Sequence, residues 1–355
     1  MTDLMALVTI SKYAGERYDL VQAGGGNSSV KLDNGVMLIK ASGCLLSDVT
    51  ENSGYSQVMT HAVAQIVTRQ EIFTCKNKRD REALTSSFMK EATIDKHNRP
   101  SIETLLHSLL HKYTLHTHPI SVNIMLNRKD WKECLKLLFG EDIGLVAYQT
   151  PGIELALELT KEISRFEKIP KIIFLQNHGL IVTSEKAEDI QALTEYTLVK
   201  IEQYLDLNLS KYKLTNQISS LIKRVDANSS IITYLSKDSD LNALLHTHKS
   251  LFFKAPFCPD ALVYCGMGIV EIVGLDDIQS IWQYQQQYHE LPKIILYQEK
   301  LFIIAHTLKK AKEIEEVLKF HVVVLSYNSE NINFLEQDEL DYLSNWEAEK
   351  YRQKV

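Results

Sequence analysis

The chain has 355 residues, of which 45% are hydrophobic and 24% are charged, and its formal net charge at pH 7 is -6. This length predicts two domains that can each bury a core, and the negative charge excludes a general attraction to nucleic acid or to an anionic membrane. The N-terminus does not resemble a signal peptide, and no segment approaches the ~18 apolar residues of a membrane span. Five cysteines without a C-x-x-C pair or a clustered framework favour a reducing, cytoplasmic location.

The first predicted elements surround a glycine-rich loop. A helix over residues 4–18 leads into Gly24, Gly25 and Gly26, and short strands at 30–32 and 36–40 are joined by an Asn-Gly turn that is typical of a hairpin. The glycines therefore lead into a hairpin, whereas a dinucleotide-binding loop opens a helix within a βαβ unit. This order argues against a nucleotide-dependent oxidoreductase.

Two helices are predicted between the hairpin and residue 110. One covers residues 54–69. The other begins at Ser101 as N-cap, because apolar residues follow it at positions 102, 105, 106, 109 and 110. Glu103 then falls in the first turn, away from the apolar stripe, where a carboxylate also complements the helix dipole. A basic stretch at 75–81 has a solvated loop as its simpler interpretation and a phosphate clamp as the alternative.

A candidate metal site follows this helix. Residues 113–119 have the character of a strand, whose period of two places His116 and His118 on one face. A third imidazole, His178, comes directly after another β-branched run. Three neutral histidines with an open coordination position are typical of a catalytic zinc-type site. A single His-x-His pair, taken alone, is also compatible with two ordinary histidines.

The remaining pattern divides the chain into two parts. Helices are predicted at 131–139, 154–165 and 187–204, with a loop at 148–152 between elements. From Asp206 to about Lys223 the sequence becomes polar. We therefore expect a first domain over residues 1–210 and a second over residues 211–355.

Two short segments of the first half have similar counterparts in the second half. The segment Pro-Lys-Ile-Ile-Phe-Leu-Gln at 170–176 returns as Pro-Lys-Ile-Ile-Leu-Tyr-Gln at 292–298, and Leu-His-Thr-His at 115–118 returns at 245–248. A degenerate duplication of an αβ unit explains both pairs, and chance similarity is the alternative.

The two copies differ in their chemistry. Eight residues after each proline stands His178 in the first copy and Lys300 in the second, and no carboxylate before His246 matches Glu103. A second metal site would have only two imidazoles. We therefore expect His246 and His248 to be structural.

Taken together and in order, the motifs of the first half resemble those of the class II aldolase/adducin family. They are Gly26-Asn27-Ser28-Ser29, Ser42-Gly43, Ser101-Ile102-Glu103, His116-Thr117-His118-Pro119 and Asn177-His178-Gly179. The resemblance covers roughly residues 5–210. The C-terminal part, including Asn345 and the Trp-Glu-Ala-Glu-Lys that follows it, looks like the aldolase part of long bacterial proteins related to rhamnulose-phosphate aldolase fused to a short-chain dehydrogenase. The chain resembles a stand-alone version of that part.

This resemblance implies a fold and an assembly. The expected fold class is α/β, a three-layer α/β/α arrangement with a central, mainly antiparallel sheet, followed by a smaller α/β C-terminal domain. Short members of the family form cyclic tetramers with the site between subunits. We therefore expect a homo-oligomer, tetramer or dimer, with a small phosphorylated sugar as substrate and no nucleic-acid or membrane partner.

The resemblance also assigns roles to residues. Zn²⁺, or Mn²⁺ or Co²⁺, is expected at His116, His118 and His178, with Glu103 as general acid/base if its surroundings raise its pKa toward neutral. A second acid is often a tyrosine of a neighbouring subunit, for which Tyr148 is the candidate. The residues expected to bind the substrate phosphate are Gly26, Asn27, Ser28, Ser42 and Gly43, with Lys40 adding a charged contact.

The expected reaction is that of a metal-dependent lyase, which cleaves a phosphorylated ketose through a metal-stabilised enediolate. Relatives with the same metal site are sugar-phosphate epimerases, dehydratases or decarboxylases, and these remain alternatives. Short fuculose-type enzymes have Ser-Ser-Glu where this chain has Ser101-Ile102-Glu103, so one phosphate-binding hydroxyl is missing and the substrate stays open. A non-catalytic adducin-like binding module is a further alternative, although such modules are expected to lack the histidines.

Overall fold

The structure, a computed structural model, describes residues 1–227, 229–328 and 331–345. The chain forms two compact units, the first covering Met1–Ser210 and the second beginning at Lys211. The C-terminal motif noted in the sequence lies outside the described residues from position 346 onward. Among the described residues, no helix combines the length and the apolar character that a membrane crossing requires.

The first unit is built on one large sheet. Its strands are β1 Asn27–Lys31, β2 Val36–Lys40, β3 Tyr55–Met59, β4 Tyr113–Thr117, β5 Gly144–Val146, β6 Ile172–Leu175 and β7 Gly179–Ser184. They lie in the order β3-β2-β1-β4-β7-β6-β5. Every neighbouring pair is antiparallel except β5 and β6, which are parallel.

Helices cover both faces of this sheet. They are α1 Asp3–Gly15, α2 Thr60–Gln65, α3 Gln70–Thr74, α4 Lys78–Ala92, α5 Thr104–Ser108, α6 Ile120–Leu126, α7 Trp131–Phe139, α8 Ile153–Ile163 and α9 Ala187–Leu205. One hydrophobic cluster joins α1, α6, α7 and α9 to one face, and another joins α2, α3, α5 and α8 to the opposite face. Along β7, Leu180 and Val182 belong to the first cluster and Ile181 to the second, as a strand's alternation requires. The predicted three-layer fold with a mainly antiparallel sheet is confirmed.

The prediction of one helix over residues 54–69 is wrong. Tyr55–Met59 forms β3, which pairs with β2 and buries every second residue, and the chain becomes helical only from Thr60. A short apolar stretch can fit both periods, and the open edge of β2 decides in favour of a strand.

The helix predicted from Ser101 is shorter than its apolar pattern. Only Thr104–Ser108 is α-helical, and Glu103 is its N-cap with φ -83° and ψ 1°. The Ser101 hydroxyl accepts a hydrogen bond from the Glu103 amide at 3.3 Å. The turn formed by Ser101 therefore lies before the helix, and Glu103 stands at its entrance instead of within its first turn.

The second unit contains a smaller sheet and its own helices. Its strands are β8 Ile232–Leu235, β9 Val270–Glu271, β10 Ile294–Tyr297 and β11 Lys300–Ala305, in the order β8-β11-β10-β9. Its helices are α10 Ser210–Val225, α11 Ser239–His248, α12 Pro259–Cys265, α13 Ile278–Tyr288, α14 Leu308–Tyr327 and α15 Gln337–Asn345. The polar stretch near residue 210 thus leads into an amphipathic helix, α10, which buries Ile218, Leu221 and Ile222.

This small sheet repeats half of the large one. The order β8-β11-β10-β9 matches β4-β7-β6-β5, with the same antiparallel and parallel pairings. The connections match as well, since α8 and α13 join the parallel strands and α9 and α14 follow the hairpins. The shared topology supports a duplication over the alternative of chance similarity.

The matching of the two Leu-His-Thr-His segments is wrong. Residues 245–248 belong to helix α11, and the counterpart of β4 is β8. Counted from the hairpins, Ile181 of β7 corresponds to Phe302 of β11. Ile181 pairs with His116 and Phe302 pairs with Leu235, so Leu235 takes the place of His116. His246 and His248 are exposed, and a spacing of two on a helix turns them about 200° apart.

The matching of His178 with Lys300 is also wrong. The β6–β7 hairpin pairs Leu175 with Gly179, whereas the β10–β11 hairpin pairs Tyr297 with Lys300. Lys300 therefore corresponds to Gly179. The first hairpin, which carries His178, has three residues in its loop, and the second has two.

Candidate metal centre

Four side chains converge at one end of β4. The Nε2 atom of His116 lies 3.0 Å from Nε2 of His118 and 3.3 Å from Nε2 of His178. The Oε1 atom of Glu103 lies 3.3 Å from His116 Nε2 and 3.2 Å from His178 Nε2. One donor atom from each residue lies within 4.8 Å of the other three. We call Glu103, His116, His118 and His178 the donor cluster.

The sheet holds the first two histidines in place. His116 pairs with Asn27 of β1 on one side and with Ile181 of β7 on the other. Its Nδ1 lies 3.0 Å from the Leu180 carbonyl oxygen, to which an Nδ1–H donates, so Nε2 faces the cluster and, in the neutral ring, carries the lone pair. His118 follows the strand, and its backbone N–H donates to the Leu20 carbonyl at 2.9 Å.

The third histidine comes from the β6–β7 hairpin. Asn177 adopts φ +53°, a left-handed conformation that asparagine tolerates well, and the three-residue loop then directs His178 toward β4. The His178 amide donates to the Leu175 carbonyl at 3.1 Å. The β6–β7 loop, which is one residue longer than the β10–β11 loop, thus carries the residue that completes the three imidazoles.

Two glycines make room for the histidine rings. A Cβ atom at Gly25 would lie 2.8 Å from Nδ1 of His118, and one at Gly179 would lie 2.2 Å from the Thr117 carbonyl oxygen and 3.2 Å from Cε1 of His116. Real Cβ atoms essentially never come as close to their neighbours as the shorter of these distances. The glycine loop and the Asn-His-Gly turn therefore shape the cluster in addition to forming tight turns.

Burial and mutual charge shift the pKa values within the cluster. Burial raises the pKa of Glu103, but the His116 and His178 imidazoles outweigh burial and hold that pKa well below its usual value. Burial, together with the nearby His116 and His178, lowers the pKa of His118 to about 3. Burial also acts to lower the pKa of His116, but the Glu103 carboxylate raises it overall. The cluster therefore presents an ionised carboxylate beside a neutral His118.

The donor set fits a divalent metal. Tetrahedral ligands at about 2.0–2.1 Å from a zinc ion stand about 3.3 Å from one another, and the four donor separations of 3.0–3.3 Å given above agree with this. Imidazole nitrogens with a carboxylate oxygen are ligands that Zn²⁺ accepts. The donor set includes Glu103 in addition to the three histidines expected from the sequence.

Comparison with known proteins identifies the family. The sequence profile of the family described as Class II Aldolase and Adducin N-terminal domain matches residues 6–205, more than half of the chain. The chain belongs to this family. The match ends close to the boundary of the first unit and includes all four residues of the donor cluster.

Individual relatives of this class II aldolase domain are distant. YuxG of Bacillus subtilis strain 168, named as an uncharacterized oxidoreductase, is 25% identical over 218 residues, which are 59% of this chain and 30% of YuxG. The chain therefore spans less than a third of the length of that curated relative.

Solved structures match a similar share of the chain. The N-terminal class II aldolase domain of a conserved Thermoplasma acidophilum protein is 22% identical with a TM-score of 0.49, and the match covers 57% of this chain and 94% of that one. YgbL of Klebsiella pneumoniae, a candidate aldolase/epimerase/decarboxylase, is 18% identical with a TM-score of 0.42, over 59% and 92% of the two chains. L-fuculose-1-phosphate aldolase of Thermus thermophilus is 19% identical with a TM-score of 0.35, over 56% and 90%.

In this class II aldolase domain, the residues predicted to bind phosphate do not all face the cluster. Asn27 does, because it lies opposite His116 in the sheet, and its Nδ2 is buried without a hydrogen-bond partner among the described residues. Gly26, directly before it, has φ +77°. Ser28 points to the other face, where its hydroxyl lies 2.7 Å from that of Ser11 on α1. The prediction that Ser28 binds the substrate phosphate therefore needs correction as far as its side chain is concerned, because neighbouring residues of a strand face opposite sides.

The other predicted phosphate ligands lie after β2. Ser42 and Gly43 are exposed, and the Ser42 amide donates to the Arg99 carbonyl at 2.8 Å. Lys40 is buried, its Nζ donates to the Cys44 carbonyl at 2.7 Å, and burial lowers its pKa. The ammonium of Lys40 is thus engaged in holding the loop that carries Ser42 and Gly43.

Tyr148 follows the C-terminal end of β5, and the loop with His178 follows the same end of the parallel strand β6, but Tyr148 is not a member of the cluster. Its side chain is 54% exposed, and its backbone N–H donates to the Gln176 side chain at 3.1 Å. Gln176 belongs to the loop that carries His178. The loop predicted at 148–152 is therefore connected to the hairpin that carries His178.

Two buried residues near the cluster were missed in the sequence. Ser29 shares the face of Asn27, and its Oγ lies 2.7 Å from Nδ1 of His107. His107 is fully buried on α5, one turn after Glu103, and its Nε2 has no partner among the described residues. The i, i+4 spacing from Glu103 was the sequence signal that could have located His107.

Proposed function

We propose that the chain is a metal-dependent carbon–carbon lyase that acts on a phosphorylated ketose. The observation that carries this proposal is the donor cluster, in which three imidazole nitrogens and one carboxylate oxygen converge within 4.8 Å. A divalent ion such as Zn²⁺, Mn²⁺ or Co²⁺ held there would supply the Lewis acidity that stabilises negative charge on a substrate oxygen.

Residues of the chain would supply the remaining chemistry. Glu103 is ionised beside the histidines, so in this role it leaves its place among the donors to a substrate oxygen, accepts a proton from the substrate and returns it. The neighbouring imidazoles hold the pKa of Glu103 low instead of raising it toward neutral, and the proposal therefore assigns the carboxylate first as base. Asn27 offers an unpartnered amide for a substrate oxygen, and the glycine loop before it offers backbone N–H groups to a phosphate. We propose that Tyr148, which is largely exposed, acts as a second acid and donates a proton to the departing product.

The assembly and location are proposals of the same kind. Because the Tyr148 side chain is largely exposed, it is available to a neighbouring copy as well as to its own site. We therefore propose a homo-oligomer with the site near a subunit boundary. Light scattering on active protein tests this proposal, and a fully active monomer would contradict it. The five free cysteines fit the reducing cytoplasm.

The first experiment measures metal content. Purified chain is supplied with zinc, cobalt or manganese and its bound metal is counted, alongside His178→Ala and the control His246→Ala, which removes an exposed histidine outside the cluster. We expect one ion per chain in the parent and in the control, and loss of the ion in His178→Ala. No bound metal in the parent would contradict the lyase and favour a binding module of the adducin kind.

The second experiment identifies the reaction. Metal-loaded chain is incubated with a panel of ketose phosphates, and free aldehyde and epimeric products are separated. Release of an aldehyde with dihydroxyacetone phosphate, abolished by Glu103→Gln, is the expected result. Formation of an epimer, a dehydrated product or carbon dioxide without aldehyde would instead identify an epimerase, a dehydratase or a decarboxylase on the same site.

A further inference from the structure

A cavity of about 790 Å³ lies in the first unit, outside the donor cluster. Its walls are helix α4 and the segment 93–102, together with Leu105 of α5. None of Glu103, His116, His118 and His178 lines it. Its volume falls in the range of small-molecule binding sites, which is about 300–1,000 Å³.

The lining of this cavity combines apolar side chains with polar ones, and one of its hydroxyls is buried. Met89, Pro100, Ile102 and Leu105 line it, and Ile102 leaves 52% of its surface exposed. Thr85 lines it too, is 3% exposed, and its Oγ1 has no hydrogen-bond partner among the described residues. A buried hydroxyl without a partner is unfavourable, and a bound polar group would supply the missing hydrogen bond.

The carboxylates at the cavity already have hydrogen-bond donors. Glu82 accepts from the Ile153 backbone N–H at 3.2 Å. Asp95 accepts from the backbone N–H groups of His97 and Asn98 and from the Asn98 side chain. Both acids therefore stabilise the protein's own turns, and their oxygens are largely used.

The bases at the cavity are not used in this way. Lys90, Lys96 and Arg99 are exposed, and in the part of the chain that the structure describes no ion pair involves any of them. Three basic side chains thus stand against two occupied carboxylates. The lining has an excess of one positive charge and a set of free N–H donors suited to an anion.

We propose that this cavity binds a small molecule that combines an apolar body with one anionic group. The apolar body packs against Met89, Leu105 and Ile102, and the anion pairs with Lys90 and Arg99. This site goes beyond the proposed lyase, since no residue of the donor cluster takes part. Because Ser101 and Ile102 of its wall directly precede Glu103, the experiment must separate the two sites.

Phenyl phosphate is a suitable probe, with benzyl alcohol as the neutral counterpart and inorganic phosphate as the anion without an apolar body. Isothermal titration of the full chain is expected to show one phenyl phosphate per chain, bound at least about tenfold more tightly than either counterpart. The double variant Lys90→Gln/Arg99→Gln is expected to weaken binding by about tenfold or more. Lys129→Gln/Lys168→Gln, which removes two exposed lysines elsewhere in the first unit, is expected to have no effect.

The metal site is tested separately with His178→Ala in the presence of a chelator. Phenyl phosphate binding that is unchanged in that protein and weakened in Lys90→Gln/Arg99→Gln supports the cavity. Absence of saturable binding to the parent, or binding that His178→Ala removes and Lys90→Gln/Arg99→Gln leaves intact, overturns it. Metal content and aldehyde release test the lyase proposal separately. Either the lyase or the cavity proposal can therefore be contradicted while the other stands.

Discussion

At the scale of single residues, the donor cluster depends on a neighbouring glycine, whose lack of a side chain leaves room for a histidine ring. The Gly25 position is filled by the His118 ring, with only 2.8 Å between Nδ1 and a hypothetical Cβ, whereas a Cβ at Gly24 would have no atom within 4 Å. These two adjacent glycines thus differ in what they do. One gives space to a donor, and the other serves the loop alone.

Gly25→Ala is therefore expected to weaken metal binding by about 10- to 100-fold, because the added methyl group displaces His118 from its orientation. Gly24→Ala is the matched control and is expected to bind metal as the parent does. Competition with a chromogenic chelator measures both dissociation constants. Equal constants for the two variants would show that His118 is free to move, contrary to the geometry.

Titration of His107 is expected to make the free energy of unfolding depend on pH when a chelator is present. Burial lowers its pKa from 6.5 to about 3, so between these values the unfolded chain binds a proton that the folded chain does not. The stability from this group is therefore complete above about pH 6.5 and decreases as the pH falls through this window. Between about pH 7.5 and pH 5.5 the expected loss is about 1.4 kcal/mol.

His107→Gln isolates that contribution, because glutamine keeps a polar group beside Ser29 without titrating in this range. The drop in free energy of unfolding between the two pH values is expected to be about 1.4 kcal/mol smaller in the variant than in the parent. Urea unfolding with a chelator present measures it. An identical drop in both proteins would mean that His107 is not the titrating group.

At the scale of elements, a buried ion network holds the turn that follows β4. Arg17 is 1% exposed, its Nε donates to Asp19 at 3.0 Å, and its guanidinium also contacts Glu195 of α9. Two backbone carbonyls beside Arg17 then accept hydrogen bonds from this turn, Asp19 from Ile120 and Leu20 from His118, both at 2.9 Å. The network therefore connects α1 and α9 to the position of a metal donor.

Arg17→Met is expected to lower the free energy of unfolding by about 3–5 kcal/mol, since it leaves the buried Asp19 carboxylate without its cation and removes a partner of the partly exposed Glu195. Arg17→Met/Asp19→Asn removes one of those charges and is expected to regain part of the loss. Urea unfolding at neutral pH compares the three proteins. A double variant no more stable than Arg17→Met would argue that packing of the long side chain dominates.

The sequence predicts most of the elements near the site, for physical reasons that also mark where it fails. Helix α7 spans Trp131–Phe139 as predicted, because its apolar residues follow the helical period over a long enough stretch. The segment 54–69 fails because a strand edge, a non-local partner, decides it. The face of the sheet on which Ser28 lies was not predicted either, because β1 begins at Asn27, three residues before the predicted strand.

The donor cluster shows the same division. Strand alternation places His116 and His118 together from local sequence alone, and the structure brings His178 and Glu103 to them. That Glu103 is the N-cap of α5, with its oxygen 3.3 Å from His116, depends on the Ser101 turn and on the packing of α5 against the sheet. No local pattern contains that information.

At the scale of the whole molecule, one αβ arrangement occurs twice with different chemistry. Both copies keep alternating apolar strands that divide between two hydrophobic clusters, such as Ile294 and Ile295 of β10. The second copy has Leu235 in place of His116, and its hairpin loop is shorter by one residue and contains no histidine. A sheet of this kind folds on its apolar pattern, so the second copy could lose its donors without losing its core.

The division into units leads to a prediction about the isolated first unit. All four donors lie within Met1–Ser210, which also contains its own sheet and both of the clusters that cover it. A fragment of residues 1–210 is therefore expected to fold and to bind one divalent ion with an affinity within about threefold of the full chain. Calorimetric titration with zinc measures this, and the same fragment carrying His178→Ala serves as the control. A fragment that folds, as judged by a cooperative urea transition, yet binds metal more than about tenfold more weakly would show that residues beyond 210 contribute to the cluster.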